Sequence, residues 1–342
     1  MNEQWRNILV VNVNWVGDVI FSTPVFRALK KHFSGVRVTC LAVPRVREIL
    51  QCCPHVDDII EYDERGRHFS PLGKWNLVGE LRRRRFDAAL LLHGSWTRAL
   101  LVYGAGIPVR AGYATKKRSR LLTHSLGIPS DDMHRSDVYL KVIESLGISV
   151  HDRHVELSVD PTAMQETEAL LARHGISPAD RLLVVNTGGN WDLKRWPAES
   201  FSSLIERLMQ NKDWKVVVTG ARNDADRAEA IAARLPERPV DLTGTTNLKQ
   251  LLALMRRASV VISNDSGPLH LAASIGTPVV GLFGPTLPEI TGPRGKTAAV
   301  CLGHDVGCNR APCYYLDCPD NVCMKTITVD EVAQAVVRQL GP

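Results

Sequence analysis

Three short segments hold the residue types that chemistry needs. The first is Asn14-Trp15-Val16-Gly17-Asp18, which ends a β-branched run and opens a helical pattern. Gly17 permits a tight turn and leaves room for a ligand. Asp18 projects where a strand gives way to a helix, and a carboxylate there can take the proton of an attacking hydroxyl. An Asp in a first helical turn also serves backbone N–H groups and the helix dipole, so both roles stand open at this stage.

The second segment runs from Asn186 to Pro197 and contains Thr187, Gly188, Gly189, Lys194 and Arg195. Thr187 and the Gly188-Gly189 amides suit a phosphate cradle, and Lys194 supplies the neutralising charge. The Gly-x-x-x-x-Gly-Lys-Ser/Thr spacing of a Walker loop is absent. The alternative is a surface loop with a solvated Lys-Arg pair. The third segment, Ser263-Asn264-Asp265-Ser266-Gly267-Pro268-Leu269-His270, joins a buried strand to an apolar helix. Ser266 and Gly267 bring backbone N–H groups without bulk to a helix start, an anion site by geometry and dipole. Asp265 either bonds a ribose or sugar hydroxyl or caps the helix. His270, one turn in, either faces the ligand or is an interior histidine. The turn Gly284-Pro285-Thr286 is placed to close over the same ligand.

Other candidates carry less. Asp224-Ala225-Asp226 matches an Asp-x-Asp pattern, but it opens a helix, where carboxylates belong for electrostatic reasons. Cys308, Cys313, Cys318 and Cys323 recur with four residues between each pair. Four thiolates equal a tetrahedral zinc set in number, yet the Cys-x2-Cys knuckle is missing, so no metal is expected there and a cysteine-rich loop is. Two basic segments stand in the first half. One is the loop Lys116, Lys117, Arg118, Arg120, and the other is Arg65-Gly66-Arg67-His68, with Arg67 the candidate ligand. Both suit an acidic acceptor or are solvated loops. The run Arg82-Arg83-Arg84-Arg85 ends a helix and reads as a solvated face.

The elements that must position these residues alternate. Strand patterns over 8–13, 36–43, 58–62 and 88–92 interleave with helical patterns over 19–33, 46–52 and 75–85. After a polar stretch over 150–161 the rhythm restarts. Strands over 181–186, 215–219, 260–263 and 278–283 interleave with helices over 163–174, 200–210, 225–234, 248–256 and 269–275. Such a βα rhythm predicts parallel sheets with helices on both faces. The expectation is an α/β chain of two doubly wound, Rossmann-like domains, 1–160 and 161–342, facing a central cleft where such folds bind ligands.

Composition agrees with a globular two-domain chain: 342 residues, 44% hydrophobic and 23% charged. The formal net charge of +6 suits an anionic substrate or an acidic membrane surface. Few aromatics interleave with the basic runs and no nucleic-acid module is present, so no nucleic acid is expected. No run reaches the ~18 apolar residues of a membrane span, and the start of the chain lacks a signal core. A soluble, cytoplasmic protein is expected, touching a membrane at most peripherally, with no disulfide framework.

Taken in order, these segments resemble glycosyltransferase family 9, the ADP-heptose:lipopolysaccharide heptosyltransferases. The resemblance covers nearly the whole chain. It rests on Val16-Gly17-Asp18, Lys194-Arg195-Trp196-Pro197, Thr243-Gly244, Asn264-Asp265-Ser266-Gly267-Pro268-Leu269-His270-Leu271-Ala272, Gly284-Pro285-Thr286 and the tail ending Cys323-Met324. One departure is Asn186-Thr187-Gly188-Gly189, where many members have a Pro-Gly-Ala type of turn.

The resemblance implies a GT-B architecture, with an acceptor-binding first domain and a nucleotide-sugar-binding second domain. It implies inverting transfer of a heptose from ADP-L-glycero-β-D-manno-heptose to the lipid A–inner core acceptor, at the cytoplasmic face of the inner membrane. Asp18 matches the general base, Lys194 the diphosphate-binding lysine, and Asp265 the aspartate at the donor sugar. No cofactor is required on this reading; a divalent cation would be an activator only. Two rivals follow from the same segments: a nucleotide-sugar epimerase of this fold, and a non-catalytic protein that binds a nucleotide sugar.

Overall fold

The computed structural model describes residues 4–308, 310–313 and 317–341. The chain divides into two compact units, Met1–Ser158 and Val159–Pro342.

The first unit holds a parallel sheet of β1 (Asn7–Val11), β2 (Arg37–Ala42), β3 (Asp58–Glu61), β4 (Ala88–Leu91), β5 (Val109–Tyr113) and β6 (His124–Leu126). Their order is β3-β2-β1-β4-β5-β6. The second unit holds β7 (Arg181–Asn186), β8 (Trp214–Thr219), β9 (Val240–Asp241), β10 (Val260–Asn264), β11 (Val279–Leu282) and β12 (Ala299–Leu302), in the order β12-β11-β10-β7-β8-β9. Both units are therefore doubly wound α/β folds, as the rhythm predicts. In each, the strand order reverses beside the first strand, between β1 and β4 and between β7 and β10. Loops leaving those paired strands diverge to opposite faces, and the crevice between them is where such sheets take ligands.

The central strands are apolar along their length because both faces are covered. All five residues of β10 are buried, as are the last four of β1 and the last five of β7. Register brings the crucial ends level: Val11 pairs with Leu91, and Asn186 with Ser263. Residues just past these ends are thus held by the stiffest part of each sheet.

The helix expected over 19–33 is two helices, Val16–Phe21 and Thr23–His32. Pro24 has no N–H to continue the first helix. The hydroxyls of Ser22 and Thr23 donate instead to the carbonyls of Val19 and Ile20, at 2.7 and 2.8 Å. This break leaves Asp18 in the first turn of a short helix directly after β1.

Candidate active site

In the first unit, the turn after β1 is held by a buried arginine. Arg98 is 1% exposed. It donates to the carbonyl of Asn12 at 2.8 Å and to Asn14 Oδ1 at 2.8 Å. Its charge is met by Glu64 at 3.5 Å and by the face of Tyr62, 5.2 Å from the ring centroid. Asn14 Nδ2 also lies 3.3 Å from His93 Nε2, on the loop after β4. Asp18 is half-buried, and its Oδ1 accepts a 2.9 Å hydrogen bond from the hydroxyl of Tyr139. Burial and the neighbouring Asp18 charge hold the Tyr139 phenol well above its ordinary pKa, so it stays protonated and donates. The helix Arg135–Glu144 supplies Tyr139. The result is a carboxylate of fixed orientation at the switch point of the first sheet.

In the second unit, Lys194 and Asp265 form an ion pair with an Nζ–Oδ2 distance of 2.6 Å and side-chain exposures of 10 and 3%. The ammonium also reaches the Asp265 carbonyl at 3.3 Å and lies 4.6 Å from the Trp191 ring centroid. Asp265 Oδ2 further accepts from Thr286 Oγ1 at 2.6 Å and Thr291 Oγ1 at 3.2 Å. His270 Nε2 stands 3.4 Å from Oδ1. Burial alone would raise the Asp265 carboxyl. The His270 bond and the Lys194 charge outweigh it and hold the group well below the usual carboxylate range. Asp265 is not the helix cap: Ser266 is the N-cap of Gly267–Ser274, and no side-chain bond caps that helix among the described residues.

Two asparagines lock the loops around this cluster. Asn186 Nδ2 donates to Ser263 Oγ at 3.0 Å and Ser266 Oγ at 3.1 Å. Asn264 Nδ2 donates to the carbonyls of Gly188 and Thr187 at 2.9 and 3.2 Å, and its Oδ1 accepts from Trp196 N at 3.0 Å. Thr187 is buried, and its hydroxyl has no partner among the described residues. Gly188 admits no side chain, because a Cβ there would stand 2.4 Å from Asp224 Oδ2. Asp224 itself takes the Ala221 amide at 2.9 Å and Arg195 at 2.9 Å, which makes it a scaffold carboxylate. The surface-loop reading of Lys194 and Arg195 is corrected: both are tied into ion pairs. Beside Leu193 and Thr286 opens a cavity of about 450 Å³, lined also by Glu289, Cys301 and His304.

The profile of glycosyltransferase family 9 (heptosyltransferase) matches residues 74–316. This chain belongs to glycosyltransferase family 9. Lipopolysaccharide heptosyltransferase 2 of Salmonella typhimurium is 28% identical over 304 residues, 86% of this chain and 87% of that one. A solved family 9 glycosyltransferase from Veillonella parvula superposes with a TM-score of 0.88 at 25% identity, covering 99% of this chain and 98% of the other. The ADP-heptose lps heptosyltransferase II of E. coli has the same fold, with a TM-score of 0.82 at 24% identity over 98% of each chain. Membership of this family makes the chain a glycosyltransferase and favours neither the epimerase nor the non-catalytic reading.

The basic loop of this family 9 chain differs from expectation. Arg118 is fully buried, not solvated. It donates to the carbonyls of Tyr113 at 2.7 Å, His93 at 2.5 Å and Ser95 at 3.4 Å. Burial presses its pKa down to about 10, so it remains charged at neutral pH. Its role is to hold the loops after β4 and β5, which removes it from the acceptor-binding candidates. Lys117 and Arg120 are exposed, and the Lys116 side chain lies outside the described residues. Arg67 is exposed and donates to the Glu61 carbonyl at 3.0 Å. Arg118→Ala is expected to lower stability by about 3 kcal/mol, since buried carbonyls lose a charged donor. Lys117→Ala is expected to leave stability within about 0.5 kcal/mol. Thermal unfolding of the two variants checks both.

None of the eight cysteines is in a disulfide. Among the described residues, no group of three or more His, Cys, Asp or Glu is arranged to hold a metal ion. Cys308, Cys313, Cys318 and Cys323 line the cavity beside Leu193 and Thr286, and burial raises the Cys323 thiol.

The Asp265 cluster also predicts a pH dependence. Its folded pKa is depressed, so the pair stabilises the unit above the ordinary carboxylate value and the effect is lost as pH falls toward the folded value. Asp265→Asn leaves Lys194 buried without its counter-charge and should cost about 3 kcal/mol at pH 7. The gap between wild type and variant should narrow as pH falls below about 4. A gap of constant size from pH 7 to pH 3 would show that the pair carries no net charge interaction.

Proposed function

We propose that this chain is an inverting heptosyltransferase that moves a heptose from ADP-L-glycero-β-D-manno-heptose to the inner core of lipopolysaccharide. The observation that carries the reading is the buried Lys194–Asp265–His270 cluster at the switch point of the second sheet, in a chain of family 9. An ammonium has three donors, and here it stands at the head of the helix Gly267–Ser274. A diphosphate arriving there would meet Lys194, the dipole of that helix and the Ser266 and Gly267 amides. These groups favour charge that grows on ADP as the glycosidic bond breaks. Asp265, His270, Thr187 and the Gly188 backbone would hold the sugar nucleotide.

Asp18 completes the chemistry. The acceptor hydroxyl attacks the anomeric carbon opposite the leaving ADP, its proton passes to Asp18, and the C1–O bond to the diphosphate breaks. Attack from the opposite face inverts the anomeric configuration. The reading requires both carboxyl-end clusters to act on one substrate pair, the GT-B arrangement expected from the sequence. No cofactor takes part, and a divalent cation serves only as an activator, because Lys194 and the helix dipole carry the diphosphate charge. Lys117, Arg120 and Arg67 would favour the acceptor's anionic groups, mainly by speeding encounter.

No helix among the described residues is long and apolar enough to cross a membrane. The proposal places the chain in the cytoplasm, peripheral to the inner membrane that carries the acceptor. The test is the mass and anomeric configuration of a defined, heptose-free core acceptor after incubation with ADP-heptose. One added heptosyl residue of inverted configuration is expected. An unchanged acceptor, or retained configuration, would refute the reading.

A further inference from the structure

One face of the first unit is aromatic, aliphatic and basic at once. The helix Trp96–Gly104 buries Arg98, Ala99, Leu101 and Val102. It turns Trp96, Leu100 and Tyr103 outward, 45, 41 and 51% exposed. These lie at i, i+4 and i+7, one stripe of an α-helix. The helix Pro71–Arg83 packs beside it, and Arg82 donates to the Gly104 carbonyl at 2.6 Å. That helix exposes Leu72 and Trp75, both at 68%. Large apolar groups left in water on two adjacent helices mark an interaction surface.

The charge around this surface says what it meets. Arg82 and Arg83 are exposed on the first of the two helices. On the other side, the turn Thr115–Leu121 packs on the helix Trp96–Gly104 and exposes Lys117 and Arg120. The Arg110 guanidinium stands 5.3 Å from the Tyr103 ring centroid. From residue 88 to residue 130 the chain contains no Asp or Glu. Glu80, the carboxylate of the helix Pro71–Arg83, is paired with Arg84 at 3.1 Å. Aromatic side chains amid lysine and arginine match the headgroup layer of an anionic bilayer: rings sit at the headgroup level and cations pair with phosphate. A second copy is disfavoured, because a two-fold contact would set this basic face against itself.

We propose that this face docks the chain on the surface of an anionic phospholipid bilayer. The stripe starts at Trp96, close after β4, where His93 meets Asn14 in the Asp18 turn. A lipid-linked acceptor would then be presented at the edge of the chemistry. The inference rests on the proposed function for that purpose alone; the surface itself is independent of the sugar transferred.

The test is co-sedimentation of the full chain with phosphatidylcholine vesicles and with mixed phosphatidylcholine–phosphatidylglycerol vesicles, at low and high salt. The wild type is expected to partition onto the anionic vesicles at least about tenfold more strongly, and less so as salt rises. Two variants probe the two components: Trp75→Ser with Leu100→Ser and Tyr103→Ser, and Arg82→Glu with Arg83→Glu. Each should weaken partition at least about tenfold. All five positions are exposed, and equal thermal midpoints confirm folding. Equal binding to both vesicle types, no binding, or unchanged partition of both variants would overturn the proposal. So would a wild-type oligomer by light scattering that the serine variant loses, because it assigns the face to self-association. ADP release with a water-soluble core acceptor is read in the same preparations and should be unaltered in the serine variant. A wild type that releases ADP but does not bind anionic vesicles removes only the docking surface; a wild type that releases no ADP removes the proposed function.

Discussion

Asp18→Asn is expected to lower turnover about 100- to 10,000-fold while donor affinity stays within a factor of two, the usual scale for losing one proton acceptor. The substitution keeps the size of the side chain and an oxygen for the 2.9 Å bond from Tyr139, so the first turn of Val16–Phe21 should persist. On the proposed mechanism, it removes the site that receives the acceptor's proton. Asn cannot take that proton, and the hydroxyl must attack unassisted. The proposed function assigns donor binding to Lys194 and Asp265 in the other unit, which the change does not touch. Single-turnover kinetics with saturating donor isolate the step. Turnover within threefold of wild type would return Asp18 to the part of a helix-start carboxylate.

Lys194→Ala should weaken donor binding and also slow the chemical step, with kcat/KM falling about 100- to 1,000-fold, the scale for removing one preorganised electrostatic group. Uniform binding would raise KM alone; a group facing charge that grows in the transition state lowers kcat too. The variant leaves Asp265 buried at 3% exposure with no ammonium, so part of the loss is structural. The double variant Lys194→Ala with Asp265→Asn separates the two parts. It removes the orphaned carboxylate and should recover thermal stability without recovering kcat. Recovery of both would make the lysine a scaffold residue, and unchanged donor affinity and kcat in the single variant would remove it from the site.

The doubly wound pattern was readable because buried parallel strands are continuous β-branched runs, as in β1, β7 and β10. β5 was not, since its Val-Arg-Ala-Gly-Tyr mixes a charge and a glycine into the strand. β9 has two residues, too few for any periodicity. In the site, Lys194 and Asp265 were visible as polar residues after strands, and His270 as a histidine one turn into the helix that follows. The pairing of Lys194 with Asp265 was not, nor was the Thr286 and Thr291 support of Asp265, because spatial contact across 20 or more residues leaves no local spacing. Tyr139 meets Asp18 from 121 residues away and was missed for the same reason. Arg118 shows the opposite error. A basic run looks solvated, yet the carbonyls after β4 and β5 draw one of its members inward, and Gly112 leaves it room: a Cβ there would stand 3.2 Å from its guanidinium.

The most direct test of the account measures ADP released from ADP-heptose by wild type and by Asp18→Asn, each with and without a heptose-free core acceptor. The account predicts release that depends on acceptor, one ADP per sugar transferred, and near-silence from the variant under every condition. Release at the same rate without acceptor, or a wild-type rate from Asp18→Asn, would contradict it.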